Sequence, residues 1–201
     1  PCWLALAGAL LPPVCHADAP GAENWTAKFQ ATYIRQEMLP FAADYSGPNS
    51  LSPNGQSGYS FTATAMLGWR PWADGELYFN PEMAQGAALS NLTGLGGFTN
   101  GENARTSGPT PTFYQARLFL RQTWNRGGAQ QDIAADANQL SGTVDARRWV
   151  LTIGNLSVLD VFDNNIYSHD PRTQFLNWSL MTNGVYDYAA DARGYSWGAA
   201  L

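Results

Sequence analysis

Polar residues able to contact a solute occur in this chain in two settings. Glu76, Asn80 and Glu82 recur at even spacings, so in an extended segment they share one face; Arg117 and Arg121 do the same further on, and Arg148 opens a later run. Carboxylates facing guanidiniums make a transverse field and a fixed array of acceptors and donors. That suits a neutral, hydroxyl-rich molecule exchanging its hydration shell for wall contacts. Planar guanidinium forks hold position and can bind sugar hydroxyls. For any single residue the plainer reading is a polar interior satisfying itself. The second setting is Leu156–Met181, where Asp160, Asp163, Asn164, Asn165, His169, Asp170 and Arg172 supply polar groups and Tyr167, Phe175 and Trp178 supply flat faces on which pyranose rings stack. A folded loop whose Asx residues cap turns and whose aromatics pack against a wall explains the same residues equally well.

Catalytic chemistry has little footing. The carboxylate pairs Asp160/Asp163 and Glu76/Glu82 could serve as glycosidase acid and base, which need carboxyls about 5–10 Å apart, but nothing marks them beyond their polarity. His169 is the one histidine after the first 19 residues, which leaves little support for a His-based metal site or a Ser-His-Asp triad. Gly94-Leu-Gly-Gly97 lacks the strand–helix context of a phosphate loop. No enzyme activity, cofactor or metal ion is expected.

The elements that position these residues are strands. Tyr59, Phe61, Ala63, Ala65, Leu67 and Trp69 alternate with Ser60, Thr62, Thr64, Met66, Gly68 and Arg70. Trp25, Ala27, Phe29, Ala31 and Tyr33 oppose Thr26, Lys28, Gln30 and Thr32, and Leu77 and Phe79 oppose Glu76, Tyr78, Asn80 and Glu82. Between Thr112 and Trp124 the apolar set reads Tyr114, Ala116, Leu118, Leu120 and Trp124, against Gln115, Arg117, Phe119 and Arg121. Trp149, Leu151 and Ile153 oppose Arg148, Val150, Thr152 and Gly154; Tyr195, Trp197, Ala199 and Leu201 oppose Ser196, Gly198 and Ala200. These six segments share a period of two, and over most of the chain no helical stripe competes. One alternating strand occurs in any half-buried antiparallel sheet. Repetition at bilayer length, with aromatics at the strand ends, predicts membrane-crossing strands whose apolar faces meet lipid.

Composition is compatible with this. The 201 residues are 45% hydrophobic and 13% aromatic, with eight Trp; a barrel that is half polar gives the same hydrophobic content as a soluble protein. No apolar run of about 18 residues exists, which excludes a helical span. The net charge of −5 argues against a nucleic-acid partner. Trp3–Val14 followed by Ala17-Asp18-Ala19 reads as a signal peptide ending at residue 19 and truncated at its start; both cysteines, Cys2 and Cys15, fall within it. Residues 20–201 would then be the N-terminal portion of one barrel domain, incomplete at Leu201 in the middle of a strand pattern. About six to eight strands cannot close around water; aqueous lumens need about 16.

Connections differ in kind. Leu39–Ser57 and Met83–Pro111 are long and rich in Gly, Pro, Ser and Asn, as expected of extracellular loops, whereas Ala73-Asp74-Gly75 reads as a periplasmic turn. Gly127–Asp145 is a third connection, whose Asp132–Leu140 core either forms a helical turn or folds into the mouth.

Several segments carry a family resemblance: WRPWADGELYFNPEMAQG, GLGGFTNGE, ARLFLRQTW, RRWVLTIGNLSVLDVFDNNIYSHDPRTQFLNW and DYAADARGYSWGAAL. Together they resemble the carbohydrate-selective outer-membrane porins of Gram-negative bacteria, from about Thr32 to Leu201. The resemblance implies an all-β, antiparallel transmembrane barrel of about 16 strands when complete, passing sugars by diffusion, with a loop folded into the pore. It also implies residence in the bacterial outer membrane among its lipids, with sugars, other small polar solutes and ions as cargo; homo-oligomerisation stays open. The other readings are an outer-membrane polysaccharide-export or adhesion barrel and a secreted all-β lectin or glycoside hydrolase.

Overall fold

The computed structural model describes residues 21–94, 96–162, 165–181 and 188–201; the expected leader, and with it Asp163 and Asn164, lie outside the described residues. The described chain is all-β and antiparallel. Eight strands form: β1 (Trp25–Met38), β2 (Gln56–Trp72), β3 (Gly75–Ala87), β4 (Thr112–Asn125), β5 (Gln130–Ile133), β6 (Gly142–Asp145), β7 (Arg148–Leu156) and β8 (Ser196–Ala200). Six make one open sheet in the order β1-β2-β3-β4-β7-β8, and β5 and β6 pair separately as a hairpin. An open antiparallel sheet of these lengths is a segment of a barrel wall.

The two faces of the sheet are inverted relative to a soluble protein. Trp25, Phe29, Tyr33, Trp69, Phe79, Trp149 and Trp197 stand exposed, while Ser60, Thr62, Thr64, Asn80 and Glu82 are buried beneath chain segments laid over the opposite face. An apolar surface of this extent is far beyond what water tolerates on a monomer, and lipid is the solvent that fits it. The outer face is therefore the apolar one, as alternation predicts for β1, β2, β3 and β7.

Register collects the aromatics into two belts. At the turn end Trp25 lies opposite Trp69 and Trp124 opposite Trp149, with Trp72 beside the turn. At the other end Tyr33 lies opposite Phe61, and its ring stacks on that of Tyr59 at 6.1 Å. On β2, the stretch from Tyr59 to Trp69 is about 33 Å long at about 3.3 Å per residue, and a tilt of about 40° reduces this to roughly 25 Å, the height of a lipid-facing band. Belts of amphipathic rings at both edges of such a band are what two lipid–water interfaces select.

Strand β4 departs from simple alternation. Asn80 pairs with Arg117 but Pro81 pairs with Gln115, so Ala116 is an extra residue in a β-bulge. Pro81 has no N–H to give the ladder, which makes this the point where pairing breaks with least loss. Asn155 on β7 repairs it: its side-chain amide donates to the carbonyls of Gln115 and Ala116 at 3.3 and 3.2 Å. The bulge reverses the facing of everything before it. Tyr114, expected outside, points inward opposite Glu82; Gln115, expected inside, lies on the outer face opposite Pro81. Tyr195 is a second correction: instead of sharing the outer face with Trp197, it is buried to 1% exposure on the inner side.

Inner-face packing needs missing side chains at two places. A Cβ on Gly68 would meet the Tyr78 ring at 2.9 Å, and one on Gly154, at φ +142°, would lie 2.3 Å from the Leu118 carbonyl and 2.7 Å from Phe119 Cα. Freed of those atoms, the rings of Tyr78 and Phe119 lie 5.0 Å apart and form with Leu140 the main apolar cluster of the inner face.

Three connections leave the end away from the β2–β3 turn, residues 39–55, 88–111 and 157–195. The tight Asp74 turn (φ 59°) and the β4–β7 connection lie at the opposite end. The Asp74 turn matches the short periplasmic connection expected at that end, whereas the β4–β7 connection, residues 126–147, is as long as the loops at the other. Strand β3 runs on to Ala87, beyond Met83 where the second loop was expected to begin.

Candidate functional site

The inner wall offers a ladder of polar groups, and two of the long loops fold onto it. Thr62 and Thr64 on β2, Glu82 on β3 and Tyr114 on β4 converge because each occupies an inward position, Tyr114 by way of the bulge. Both Glu82 carboxylate oxygens are committed: Oε2 accepts from the Thr64 hydroxyl, and Oε1 accepts from the Tyr114 hydroxyl and from Arg105 Nη1 at 3.4 Å.

Loop 88–111 supplies the next layer. Asn100, Glu102 and Asn103 are fully buried against the wall. Thr62 Oγ1 donates to Glu102 Oε2 at 2.6 Å, Ser60 Oγ donates to Asn100 Oδ1 at 3.4 Å, and Gln36 Oε1 accepts from Thr99 Oγ1 at 2.6 Å and Asn100 Nδ2 at 3.1 Å. Gly86 accommodates this approach, since a Cβ there would sit 3.1 Å from Asn103 Oδ1 and 2.6 Å from the Tyr59 carbonyl.

Loop 157–181 packs behind it. Arg172 Nη2 bonds Glu102 Oε2 at 3.2 Å and lies 3.9 Å from Glu82 Oε2. Gly101 N–H donates to the Leu176 carbonyl at 2.8 Å, and the rings of Phe98 and Trp178 meet at 5.3 Å. Asp160 closes a 3-10 turn by accepting from the Ser157 amide while receiving a bidentate guanidinium pair from Arg117 at 2.7 and 2.6 Å.

The resulting cluster is electrically balanced and stratified. Glu82 and Glu102 are 2% and 1% exposed at their side chains, while the arginines that neutralise them, Arg105 and Arg172, keep 26% and 17% in solvent. Glu82 and Glu102 form the buried layer and the guanidinium edges of Arg105 and Arg172 its surface, whereas in the Arg117–Asp160 pair the carboxylate is the more exposed partner, 32% against 19%. Burial works against the Arg105 charge, but Tyr195, Glu102, Glu82 and Tyr114 around it hold its pKa well above the ordinary arginine range. Tyr195 ties the layers together: its hydroxyl accepts from Arg105 Nη1 at 2.9 Å, and its ring lies under the guanidiniums of Arg105 at 5.6 Å and Arg117 at 5.2 Å.

The residues singled out from sequence separate into groups. Glu82, Arg117, Asp160 and Arg172 belong to this cluster, and Asn80 is buried on the wall beside Arg117. Glu76, Arg121 and Arg148 lie nearer the turn end, where Glu76 pairs with Arg70 at 2.8 Å and Arg121 at 3.5 Å, and Arg148 bonds Gln131 and the Asp145 carbonyl. Asn165 and Asp170 use their carboxamide and carboxylate oxygens on the turns at Tyr167, Arg172 and Thr173. The backbone of His169 is tied to Gln174, Tyr167 is exposed, and Trp178 packs on Phe98. Glu102, Arg105, Tyr114 and Tyr195 are the members that sequence reasoning missed; the signal for Arg105 and Glu102 was their place in a long glycine-rich loop expected to be functional. Among the described residues no acidic, His and Cys cluster suits a metal ion.

Comparison with known proteins bears on the whole assembly. The family model of the carbohydrate-selective porins, OprB family, matches residues 48–201. No curated protein and no solved structure matches the chain. The match covers the strands from β2 onward together with both infolded loops, and it agrees with a sheet whose apolar face suits lipid and whose polar face is layered with charge. The chain belongs to the OprB family of carbohydrate-selective porins.

Proposed function

We propose that this chain forms the N-terminal portion of an outer-membrane channel through which carbohydrates and other small polar solutes diffuse, with the cluster around Glu82 and Glu102 as part of its constriction. The observation that supports this reading is the stratification of charge: the buried carboxylates of Glu82 and Glu102 hold the partly exposed guanidiniums of Arg105 and Arg172 over them. A surface of fixed N–H donors with no net excess of charge replaces water at sugar hydroxyls without trapping an ion. Glu76, Asn80, Arg121, Arg148, Asn165, Tyr167, His169, Asp170 and Trp178 line the remaining path in this reading, and Asp163 belongs with them by sequence.

Liposome swelling by the complete porin tests it. Monosaccharides should swell protein-containing vesicles at rates that fall with solute size. Vesicles that swell no faster than empty ones would assign the chain instead to an export or adhesion barrel with a plugged lumen.

A further inference from the structure

The β4–β7 connection does not behave as a periplasmic turn. It leaves the sheet at the same end as the tight Asp74 turn, yet residues 126–147 form the β5–β6 hairpin, whose far end, residues 134–141, is laid across the inner face. Its anchors reach successive strands. Leu140 is buried at 1% exposure in one cluster with Tyr78 and Phe119, and its amide donates to the Tyr78 hydroxyl at 3.0 Å. Arg121 Nη1 holds the Asn138 carbonyl at 3.0 Å, Arg70 Nη2 the Ser141 carbonyl at 3.2 Å, and Lys28 Nζ the Asp136 carbonyl at 2.7 Å. Glu23 Oε2 accepts from the Ser141 amide at 2.8 Å. The segment thus crosses from β4 to β1.

It is also rigid in itself. Asp136 and Gln139 pair backbone to backbone at 2.9 and 3.2 Å, and Gln139 Nε2 bonds the Ala134 carbonyl at 2.7 Å. Ala134, Ala135 and Asp136 are left exposed. Between the hairpin and the wall a cavity of about 450 Å³ remains, lined by Arg70, Glu76, Arg121, Gln139, Thr143 and Arg148 among others.

We propose that residues 134–141 form a second, turn-side constriction of the lumen, in series with the loop cluster and independent of it. A wall segment that projects inward and is pinned by an apolar side chain and by bonds to four strands narrows the passage permanently, in the way a mobile loop cannot. The two constrictions are anchored four residues apart on β3, at Tyr78 and at Glu82, so a permeating sugar meets them in turn. This inference rests on the channel reading above.

The experiment uses the complete porin carrying Ala135→Cys, since residues 16–201 contain no cysteine. Single channels in a planar bilayer are recorded before and after a bulky thiol-reactive reagent is added from the turn side, with labelling verified by mass spectrometry. Attachment at Ala135→Cys is expected to cut single-channel conductance at least twofold, whereas the same label on Asn54→Cys, in the loop at the far end, leaves it unchanged. Unchanged conductance after verified labelling of Ala135→Cys, or equal block at Asn54→Cys, overturns the proposal. Channels that conduct and pass sugar while insensitive to the Ala135→Cys label reject the second constriction alone; a protein that passes no sugar before labelling rejects the channel reading itself.

Discussion

Tyr114 faces Glu82 across the β3–β4 ladder, its hydroxyl on the carboxylate, only because Ala116 is an extra residue in β4. Remove that residue and every position from Thr112 to Gln115 turns over. Tyr114 would then meet lipid, and Glu82 would lose one of the donors that make its burial tolerable. Deletion of Ala116 is therefore expected to abolish assembly in the complete porin, whereas Ala116→Ser, which keeps the count, should assemble normally. Heat-modifiable migration on gels distinguishes folded from unfolded barrel for both.

The lipid-facing assignment has its own test. Ala63 lies outward between Ala31 and Met83, at the middle of the Tyr59–Trp69 band, and Gln30 lies inward on β1. Ala63→Arg should lower folding stability in vesicles by about 2–4 kcal/mol, the cost of arginine near the bilayer midplane, and Gln30→Arg should cost less than about 1 kcal/mol. Equal costs in urea-dependent refolding would mean that the faces are assigned the wrong way round.

Gly154 permits the close contact of β7 with Phe119. Gly154→Ala combines a φ of +142° with a Cβ 2.3 Å from a backbone carbonyl oxygen, so refolding yield should fall severely. Gly198→Ala, with nothing within 4 Å of its Cβ, should refold like the parent protein.

Arg117 and Asp160 form the bidentate pair that fastens the start of loop 157–181 to the wall. Arg117→Ala leaves Asp160 as an uncompensated anion beside the lumen. Reversal potentials under a salt gradient should shift toward cation selectivity, and Asp160→Asn in the same background should return them toward the parent value. No shift in the single variant would place both groups out of the ion path.

The strands whose alternation is unbroken were legible from sequence, because side chains on β1, β2, β3 and β7 obey a period of two and lipid enforces it. The first part of β4 was not, because a bulge adds one residue and leaves no mark in the apolar pattern; Tyr114 and Ala116 read as an ordinary outward pair. Pro81 was the available hint, on the partner strand. Loop chemistry divided similarly. Asp160 and Arg172 stood out in a segment dense with polar and aromatic residues, but Asn100, Glu102 and Asn103 resemble any solvated loop until tertiary packing buries them against Thr62 and Gln36. Tyr195 precedes its strand and answers to Arg105 and Arg117, contacts that no local pattern encodes. The connection from Gly127 to Asp145 took the second of its two expected forms, folding inward through Leu140.

Arg105 links the buried Glu82 to Tyr195, with about a quarter of its side chain in solvent. Arg105→Ala should cost about 1–3 kcal/mol in folding, less than the loss of a fully buried ion pair because solvent already screens one partner. Urea-dependent refolding of the single variant checks this.

The central claim is that guanidinium edges held over buried carboxylates are the surface on which sugars pass. Its most direct test is sugar occlusion of ion current through single channels of the complete porin, comparing the parent with the Arg105→Ala, Arg172→Ala double variant and confirming assembly by heat-modifiable migration. Glucose should reduce current in the parent, and in the assembled double variant its half-blocking concentration should rise at least tenfold. An assembled double variant blocked by glucose at the parent concentration would contradict the account and place the sugar path elsewhere on the wall.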